Sequence, residues 1–207
     1  REALWSAIFD NYGIKTVTNT DKRKAAYVLT KRQLKVFHDA GIKDLGSGKD
    51  DAIPLDLKTP LEAESKLEAS IYKALRDETK RTPEPRLGRK FIREWLEPGD
   101  QVLIGNIGTE LFAIKFSAIK DLTDEEIHLR VLSRLPPKQV YERARQAPTQ
   151  PGVREVTRTE YIRSPEVVAA TLARANGNCE MPSCTAELFC RKDSTNYLEV
   201  HHVTPLA

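Results

Sequence analysis

Residues 101–116 read QVLIGNIGTELFAIKF, and this stretch decides the fold of the amino-terminal part of the chain. Its two apolar runs, Gln101 to Ile104 and Leu111 to Phe116, are separated by Gly105 to Gly108, and Gly and Asn favour turns. Apolar runs of this length around a turn predict a β-hairpin. We expect a third strand, Ile127 to Leu132, to join the hairpin, so that the strands form a small sheet or a partly open barrel.

Helical and strand-like segments alternate upstream of this hairpin. Ala3 to Phe9 is helical in pattern, and Ala25 to Leu29 is strand-like. Thr30 is placed to cap a helix that runs to Ala40, just before Gly41. The longest helix is predicted over Leu61 to Asp77, because one helical face would collect Leu61, Leu67, Ile71, Ala74 and Leu75. The fold class is therefore α+β, with a mixed α/β amino-terminal domain.

The composition is that of an ordinary soluble globular protein. The chain has 207 residues, of which 40% are hydrophobic and 30% charged, so it can form one large domain or two small ones. It has no apolar run of the roughly 18 residues that a membrane span requires. Its first ten residues lack the apolar core of a signal peptide. We expect a cytoplasmic protein with no membrane partner.

A proline-rich stretch, residues 146–152, marks a change in the chain. It follows a short predicted helix, Lys138 to Arg145, and reads QAPTQPG, which neither a helix nor a central strand accommodates easily. We therefore predict an amino-terminal domain over residues 1–147, a linker over 148–154 and a second domain over 155–207.

A basic segment lies between residues 80 and 93. Against one acidic residue, Glu84, it carries six basic residues: Lys80, Arg81, Arg86, Arg89, Lys90 and Arg93. The excess of basic over acidic residues in the whole chain is only three, so this segment is locally concentrated. Such a cluster can neutralise DNA phosphates, with Phe91 and Trp95 packed nearby. The alternative is a solvated loop and helix face with both aromatic rings in the core.

Three cysteines lie close together in the carboxy-terminal part of the chain, after a predicted helix. Ser164-Pro165-Glu166 is typical of a helix start, and Gly177 ends the helix that continues through Ala175. An odd number of cysteines in one region, Cys179, Cys184 and Cys190, argues against a disulfide framework. Cys179 and Cys184 can reach one Zn²⁺ but supply only half of a four-ligand site. Cys190 is either a third ligand or a small buried residue.

Two adjacent histidines, His201 and His202, follow Cys184 after sixteen intervening residues, in the run YLEVHHVTPL. They are too close together for a two-Cys, two-His zinc finger. On a strand, adjacent side chains point to opposite faces, which suits one imidazole on a metal ion and the other on water or substrate. The alternative is one core and one surface histidine.

Taken together, the runs YIRSPEVV (161–168), ANGNCE (175–180) and YLEVHHVTPL (197–206) resemble the first half of an HNH endonuclease domain. The resemblance is closest to the McrA-like, modification-dependent restriction type and covers residues 155–207. It implies a truncated ββα-metal domain with a structural zinc. It further implies that His201 binds the catalytic divalent ion, Mg²⁺, Mn²⁺ or Ni²⁺, and that His202 is the general base.

The resemblance has two departures from the family pattern. The usual first cysteine pair has two intervening residues, whereas Cys179 and Cys184 have four. The resemblance implies that these two cysteines hold one half of the structural zinc site, and that a later cysteine pair holds the other half. The chain stops at Ala207, before the family's Asn, last metal-binding His and second cysteine pair, so we expect the natural protein to continue.

The resemblance implies a DNA-reading role for residues 1–147, with double-stranded DNA, including modified cytosine, as the partner. Stacking on a base could use Trp5, Tyr12, Tyr27, Tyr72 or Trp95, whose alternative is a place in the core. His38 and His128, in helix-like and strand-like surroundings, are expected to be structural. Cleavage of both strands by a single-site nuclease would suit a homodimer. The alternative functions are a DNA-binding reader with an inactive HNH remnant and a protein-interaction module with a zinc-stapled tail.

Overall fold

The computed structural model describes residues 1–74, 82–150, 152–154 and 160–201. The chain divides into two compact units, Arg1–Ile127 and His128–Ala207. The first unit contains a mixed seven-stranded sheet that curls into a half-barrel, and the second is largely helical. This confirms the α+β class and the partly open barrel. None of the helices among the described residues has the length and apolar character needed to cross a membrane.

The sheet of the first unit has seven strands, the shortest of which, at one edge, has two residues. The strands are β1 (Asn11–Thr16), β2 (Tyr27–Val28), β3 (Ile53–Lys58), β4 (Lys66–Lys73), β5 (Pro85–Gly88), β6 (Gln101–Ile107) and β7 (Glu110–Lys115). Their order is β1-β6-β7-β3-β4-β5-β2. Only the pairing of β3 with β7 is parallel; the other strand pairs are antiparallel.

The predicted hairpin is confirmed as β6 and β7, but Gly105, Asn106 and Ile107, which were expected in the turn, belong to β6. The two strands pair from Val102 opposite Lys115 to Ile107 opposite Glu110, and Gly108 takes a positive φ of 56° in the turn. Both strands are buried over most of their length because both faces of the sheet are covered here. This explains why their sequence is a continuous apolar run without alternation.

Helices close the gap between the two edge strands, β1 and β2. They are α2 (Asn19–Arg23) and α3 (Lys31–Asp39), whereas α1 (Glu2–Ile8) lies beside β1. From α3, the buried amide of Gln33 donates to the Gly13 carbonyl on β1 and to the Tyr27 hydroxyl on β2. From β1, the Lys15 ammonium donates to the Val28 carbonyl on β2 at 2.7 Å. Side chains therefore join the two edges where no backbone pairing does.

The sequence patterns for α1 and α3 predicted both helices correctly. At α3, the Thr30 hydroxyl accepts from the Gln33 backbone N–H, and the Gln33 side chain accepts from the Thr30 backbone N–H. This reciprocal pair is a capping box, which satisfies backbone donors that a helix start leaves free.

The helix predicted over Leu61 to Asp77 is wrong. Its central part is the strand β4, and residues 75–77 lie outside the described residues. Leu67 and Ile71 are four residues apart and fit one face of a helix, but with Ala69 between them they also fit one face of a strand. Pairing with β3 on one side and β5 on the other decides between the two patterns.

The strand predicted over Ile127 to Leu132 is also wrong. This segment belongs to the helix α4 (Asp124–Leu132), and His128 therefore lies on a helix. The helix begins after Thr123, whose backbone N–H donates to the Glu126 carboxylate at 2.7 Å and whose hydroxyl accepts from the Glu126 N–H. Three acidic residues in the first turn add a favourable interaction with the helix dipole.

The second unit contains two packed helices and a short hairpin. The elements after α4 are α5 (Pro137–Gln146), β8 (Gly152–Arg154), β9 (Glu160–Ile162) and α6 (Pro165–Ala175), with β8 antiparallel to β9 and α5 against α6. β8 takes the last three residues of the expected linker, and residue 151 lies outside the described residues. The Ser164 hydroxyl caps α6 by accepting from the Val167 N–H, as its sequence predicted.

Candidate functional site

The two cysteines that follow α6 lie together on an exposed knuckle. The helix ends where Asn176 and Gly177 both adopt positive φ, and the chain then turns so that the Cys184 N–H donates to the Met181 carbonyl. The pKa of the Cys184 thiol is lowered by a hydrogen bond from the Ala186 backbone and by one from the Cys179 thiol. The structure thus brings together the two thiols that the sequence singled out.

Cys190 lies on a separate β-hairpin, residues 189–197. The Tyr197 N–H donates to the Phe189 carbonyl at 2.6 Å, the Arg191 N–H donates to the Thr195 carbonyl at 2.7 Å, and Cys190 pairs with Asn196. Cys190 is exposed, so the interpretation as a small buried residue is wrong. Its sulfur lies 3.7 Å from the Asn196 side-chain oxygen.

Asn196 ties this hairpin to the end of α6. Its side-chain amide donates to the Gly177 carbonyl at 2.7 Å. Gly177 precedes the knuckle and Asn196 precedes the histidines, so one hydrogen bond fixes the distance between the segments that carry the thiols and His201. Asparagine suits this position because its amide nitrogen donates to Gly177 while its side-chain oxygen accepts from the Cys190 thiol.

His201 follows the hairpin and is exposed. Its Nε2 lies 3.5 Å from the Glu199 carboxylate, whose other oxygen accepts from the Tyr197 hydroxyl at 2.7 Å. His202 lies outside the described residues. Over residues 160–201 and the rest of the described chain, no three His, Cys, Asp or Glu side chains converge as a metal site. The zinc-ligand role of Cys179 and Cys184 and the metal-ligand role of His201 therefore stay predictions.

A close contact between His128 and the partly buried Glu166 lies at the start of α6, the helix that leads to the knuckle. The Nε2 of His128 lies 3.2 Å from one oxygen of Glu166, and the Ser164 hydroxyl donates to the other at 2.8 Å. The contact with His128 is close in distance but is not aligned as a linear hydrogen bond. Beside this imidazole, the pKa of Glu166 falls to about 2 although partial burial opposes the change. His128 therefore has the structural role that its sequence context suggested.

The contact between His128 and Glu166 predicts that the stability of the fold depends on pH, and that Glu166→Gln removes this dependence. Because the pKa of Glu166 in the folded chain, about 2, lies below the ordinary 4.5, its charge stabilises the fold above pH 4.5. That stabilisation is lost as the pH falls towards 2. After allowance for solvent screening, we expect Glu166→Gln to lower the free energy of unfolding by about 1 kcal/mol near neutral pH. Hydrogen exchange of α6 amides should show a loss of protection at pH 7 that largely disappears at pH 2; an equal loss at both would contradict it.

The basic segment is spread over a strand, a turn and a short π-helix, and Lys80 and Arg81 lie outside the described residues. Arg86 is half-buried on β5 and pairs with Glu84 at 3.2 Å, so it is partly neutralised. Lys90 lies 3.5 Å from Glu68. Arg89 and Arg93 are exposed. These two arginines are the strongest phosphate candidates in the described part of the segment.

Sequence reasoning missed a second basic surface on α2 and α3. Residues 22–35 contain no acidic residue and six basic ones: Lys22, Arg23, Lys24, Lys31, Arg32 and Lys35. Counting charge in windows along the whole chain would have found it. The ammonium of Lys22 is used within the fold, since it donates to the carbonyls of Arg93 and Leu96. The other five basic side chains of this surface are exposed.

A cleft of about 330 Å³ adjoins this basic surface at the free edge of β1. It is lined by Ser6, Phe9, Asp10, Asn11, Tyr12, Arg32 and Lys35. Among the proposed stacking residues, Trp5, Tyr27 and Tyr72 are buried in the core, so stacking on them is excluded. Trp95 is half-buried against Phe91. Tyr12 is half-buried and faces the cleft.

Comparisons with known proteins assign neither a family nor a function to this chain. A scan against protein-family models, a search of curated proteins and a search of solved structures each found no match to this chain. Any functional argument therefore has to start from the residues and their contacts.

Proposed function

We propose that this protein is a metal-dependent DNA endonuclease that hydrolyses phosphodiester bonds, a restriction enzyme in which the amino-terminal unit selects modified DNA. The proposal combines the resemblance of residues 155–207 to HNH endonucleases with one structural observation. The Cys179–Cys184 knuckle is joined through Asn196 to the hairpin that leads to His201. The order along the chain is the one that the resemblance requires: the thiol pair comes first, the hairpin follows it, and the two histidines come last.

Two metal sites are part of this proposal. Cys179 and Cys184 would hold structural Zn²⁺, because adjacent exposed thiols of which one has a lowered pKa readily become thiolate ligands. His201 would bind the catalytic divalent ion, and Glu199 beside it can orient the imidazole as metal-bound histidines require. When bound, the catalytic ion would stabilise charge on the phosphate oxygens during hydrolysis.

The remaining chemistry is assigned to His202. Hydrolysis of a phosphodiester needs a group that takes a proton from the attacking water. Imidazole is largely neutral near neutral pH and can accept that proton. His202 follows His201 directly, so in an extended segment the two imidazoles face opposite sides and can serve different partners.

The exposed arginines of the basic segment are proposed to contact DNA phosphates. Each phosphate contact releases counterions, so each lost contact reduces the slope of log K against log salt by about 1. We expect Arg89→Ala and Arg93→Ala each to reduce it by about this amount in fluorescence anisotropy titrations with a DNA duplex. The exposed Lys66, which already lies 3.7 Å from Asp56, provides the control variant Lys66→Ala, which should leave the slope unchanged. Equal slopes in all three variants would contradict the assignment.

The test of the endonuclease proposal is metal-dependent nicking of DNA. Supercoiled plasmid that carries modified cytosine should be nicked or linearised with Mg²⁺, Mn²⁺ or Ni²⁺, and a chelator should abolish cutting. If the plasmid stays intact with every ion while salt-sensitive binding persists, the protein is a DNA reader with an inactive HNH remnant.

A further inference from the structure

We infer that the cleft beside β1 receives a single base turned out of the DNA duplex, and that its polar groups favour cytosine over thymine. The inference rests on the proposed function, because it assumes that the first unit binds DNA. It assigns the selection to one site, the cleft lined by residues of α1, β1 and α3, and to one ligand, an extrahelical cytosine.

The shape of the cleft suits one flat aromatic ring. Its volume of about 330 Å³ is at the small end of ligand sites in proteins. Phe9 forms the floor of the cleft but is only 4% exposed, because its ring packs over Gly105 and against Phe112 in the core, so it closes the cleft and leaves the stacking to Tyr12. Tyr12, half-buried on the edge strand, supplies a second aromatic ring. Enzymes and readers that extract a base commonly stack it on such side chains.

The polar groups in the cleft match the hydrogen-bonding edge of cytosine. One oxygen of Asp10 accepts from the Gly108 N–H at 2.6 Å, which orients the carboxylate and leaves its other oxygen to accept from an amine. Cytosine carries such an amine, and carboxylates are its usual partners. The Asn11 amide can donate to the acceptors beside that amine. Thymine presents a carbonyl oxygen in place of the amine and would face the carboxylate unfavourably.

Cations at the rim can hold the phosphates on either side of the extracted base. Arg32 and Lys35 are three residues apart on α3, so they lie on one face of the helix, and both line the cleft. Lys35 already pairs with Asp39, which makes Arg32 the stronger phosphate candidate of the two. Gln33 between them is buried and donates to Gly13 on β1. This bond fixes α3 against the strand that carries Tyr12, so the rim and the aromatic wall are held in place before DNA binds.

The test uses duplexes in which one base is already unpaired. A base opposite an abasic site costs less to extract than a paired one. We expect the chain to bind a duplex with cytosine opposite an abasic site about tenfold more tightly than the fully paired duplex, and more tightly than one with thymine there. Tyr12→Ala should abolish the preference for the unpaired base, whereas Tyr12→Phe should retain it. Asp10→Asn should remove the preference for cytosine over thymine, whereas Asp56→Asn, on an exposed carboxylate of β3, should not.

The outcomes separate this inference from the proposed function. Equal binding to paired and unpaired duplexes, or an unchanged preference in a Tyr12→Ala variant that melts like the wild type, would overturn the cleft assignment. The endonuclease proposal would then still be tested by plasmid cleavage. If the wild type binds none of the duplexes, both the cleft assignment and the DNA-selecting role of the first unit are overturned.

Discussion

Replacing Lys15 with methionine is expected to lower the free energy of unfolding of the amino-terminal unit by about 3 kcal/mol. The Lys15 ammonium lies 2.8 Å from the carboxylate of Asp21, whose side chain is 4% exposed. Removing one partner of a buried pair leaves the other charge without compensation, which costs more than the loss of a surface pair. The same ammonium also joins the two edges of the half-barrel through the Val28 carbonyl.

The surroundings of Asp21 support this expectation. Burial alone would raise the pKa of Asp21, but hydrogen bonds from Lys15, Thr18 and the Val28 backbone outweigh it and hold the pKa below the ordinary value of 3.8. The ionised form therefore stabilises the fold above that pH, and the stabilisation is lost at lower pH. Lys15→Met removes one of these compensating groups, while the Asp21 carboxylate stays buried.

Urea unfolding followed by tryptophan fluorescence measures the effect. Both tryptophans, Trp5 and Trp95, lie in the first unit, so the signal reports on that unit. Lys66→Met is the matched control, because Lys66 is 63% exposed and its removal should change the free energy by no more than about 0.5 kcal/mol. Adding Asp21→Asn to Lys15→Met should recover part of the loss. Similar small effects from both lysine variants would show that the buried pair does not hold the half-barrel closed.

Replacing His202 with alanine is expected to reduce DNA cleavage by roughly 10² to 10⁴-fold, the usual range for loss of a general base. DNA affinity should change by less than about twofold, since in this account His202 acts on water and the first unit supplies the phosphate contacts. Single-turnover cleavage of a plasmid and anisotropy with a short duplex separate the two quantities.

His38→Ala provides the control for this prediction. His38 is half-exposed on α3, remote in sequence from the proposed nuclease residues, and should leave the cleavage rate unchanged. Cleavage by His202→Ala at the wild-type rate would contradict its role as the base. Joint loss of cleavage, binding and cooperative melting would indicate that the variant does not fold.

Local signals in the sequence account for the elements that were predicted correctly. The hairpin of β6 and β7 is specified by apolar runs around a glycine turn, and α3 and α6 by Thr30 and Ser164 at their first turns. These features depend on neighbours within a few residues, so they are visible in the sequence. The predictions for the segments at β4 and α4 were wrong because the spacing of their apolar residues fits both a helix and a strand. Pairing with β3 and β5 makes the first segment a strand. The Thr123 cap, which we did not recognise in the sequence, makes the second segment a helix.

The candidate sites also differ in whether their residues are neighbours in the sequence or are brought together only by packing. Cys179, Cys184 and His201 could be proposed from the sequence because a short motif contains them. The cleft was not found, because Asp10 and Tyr12 come from one segment and Arg32 from another, and only the packing of α3 on β1 brings them together. The basic surface of α2 and α3 could have been found from charge alone, since residues 22–35 are more uniformly basic than the segment that was singled out.

The most direct test of the central claim is cleavage of two plasmids of identical sequence, one with modified cytosine and one without, by the same chain and the same divalent ion. The account predicts that the modified plasmid is cut and that the unmodified plasmid is left largely intact. Equal cutting of both plasmids would contradict selection of modified DNA by the first unit, and no cutting of either would contradict the endonuclease itself.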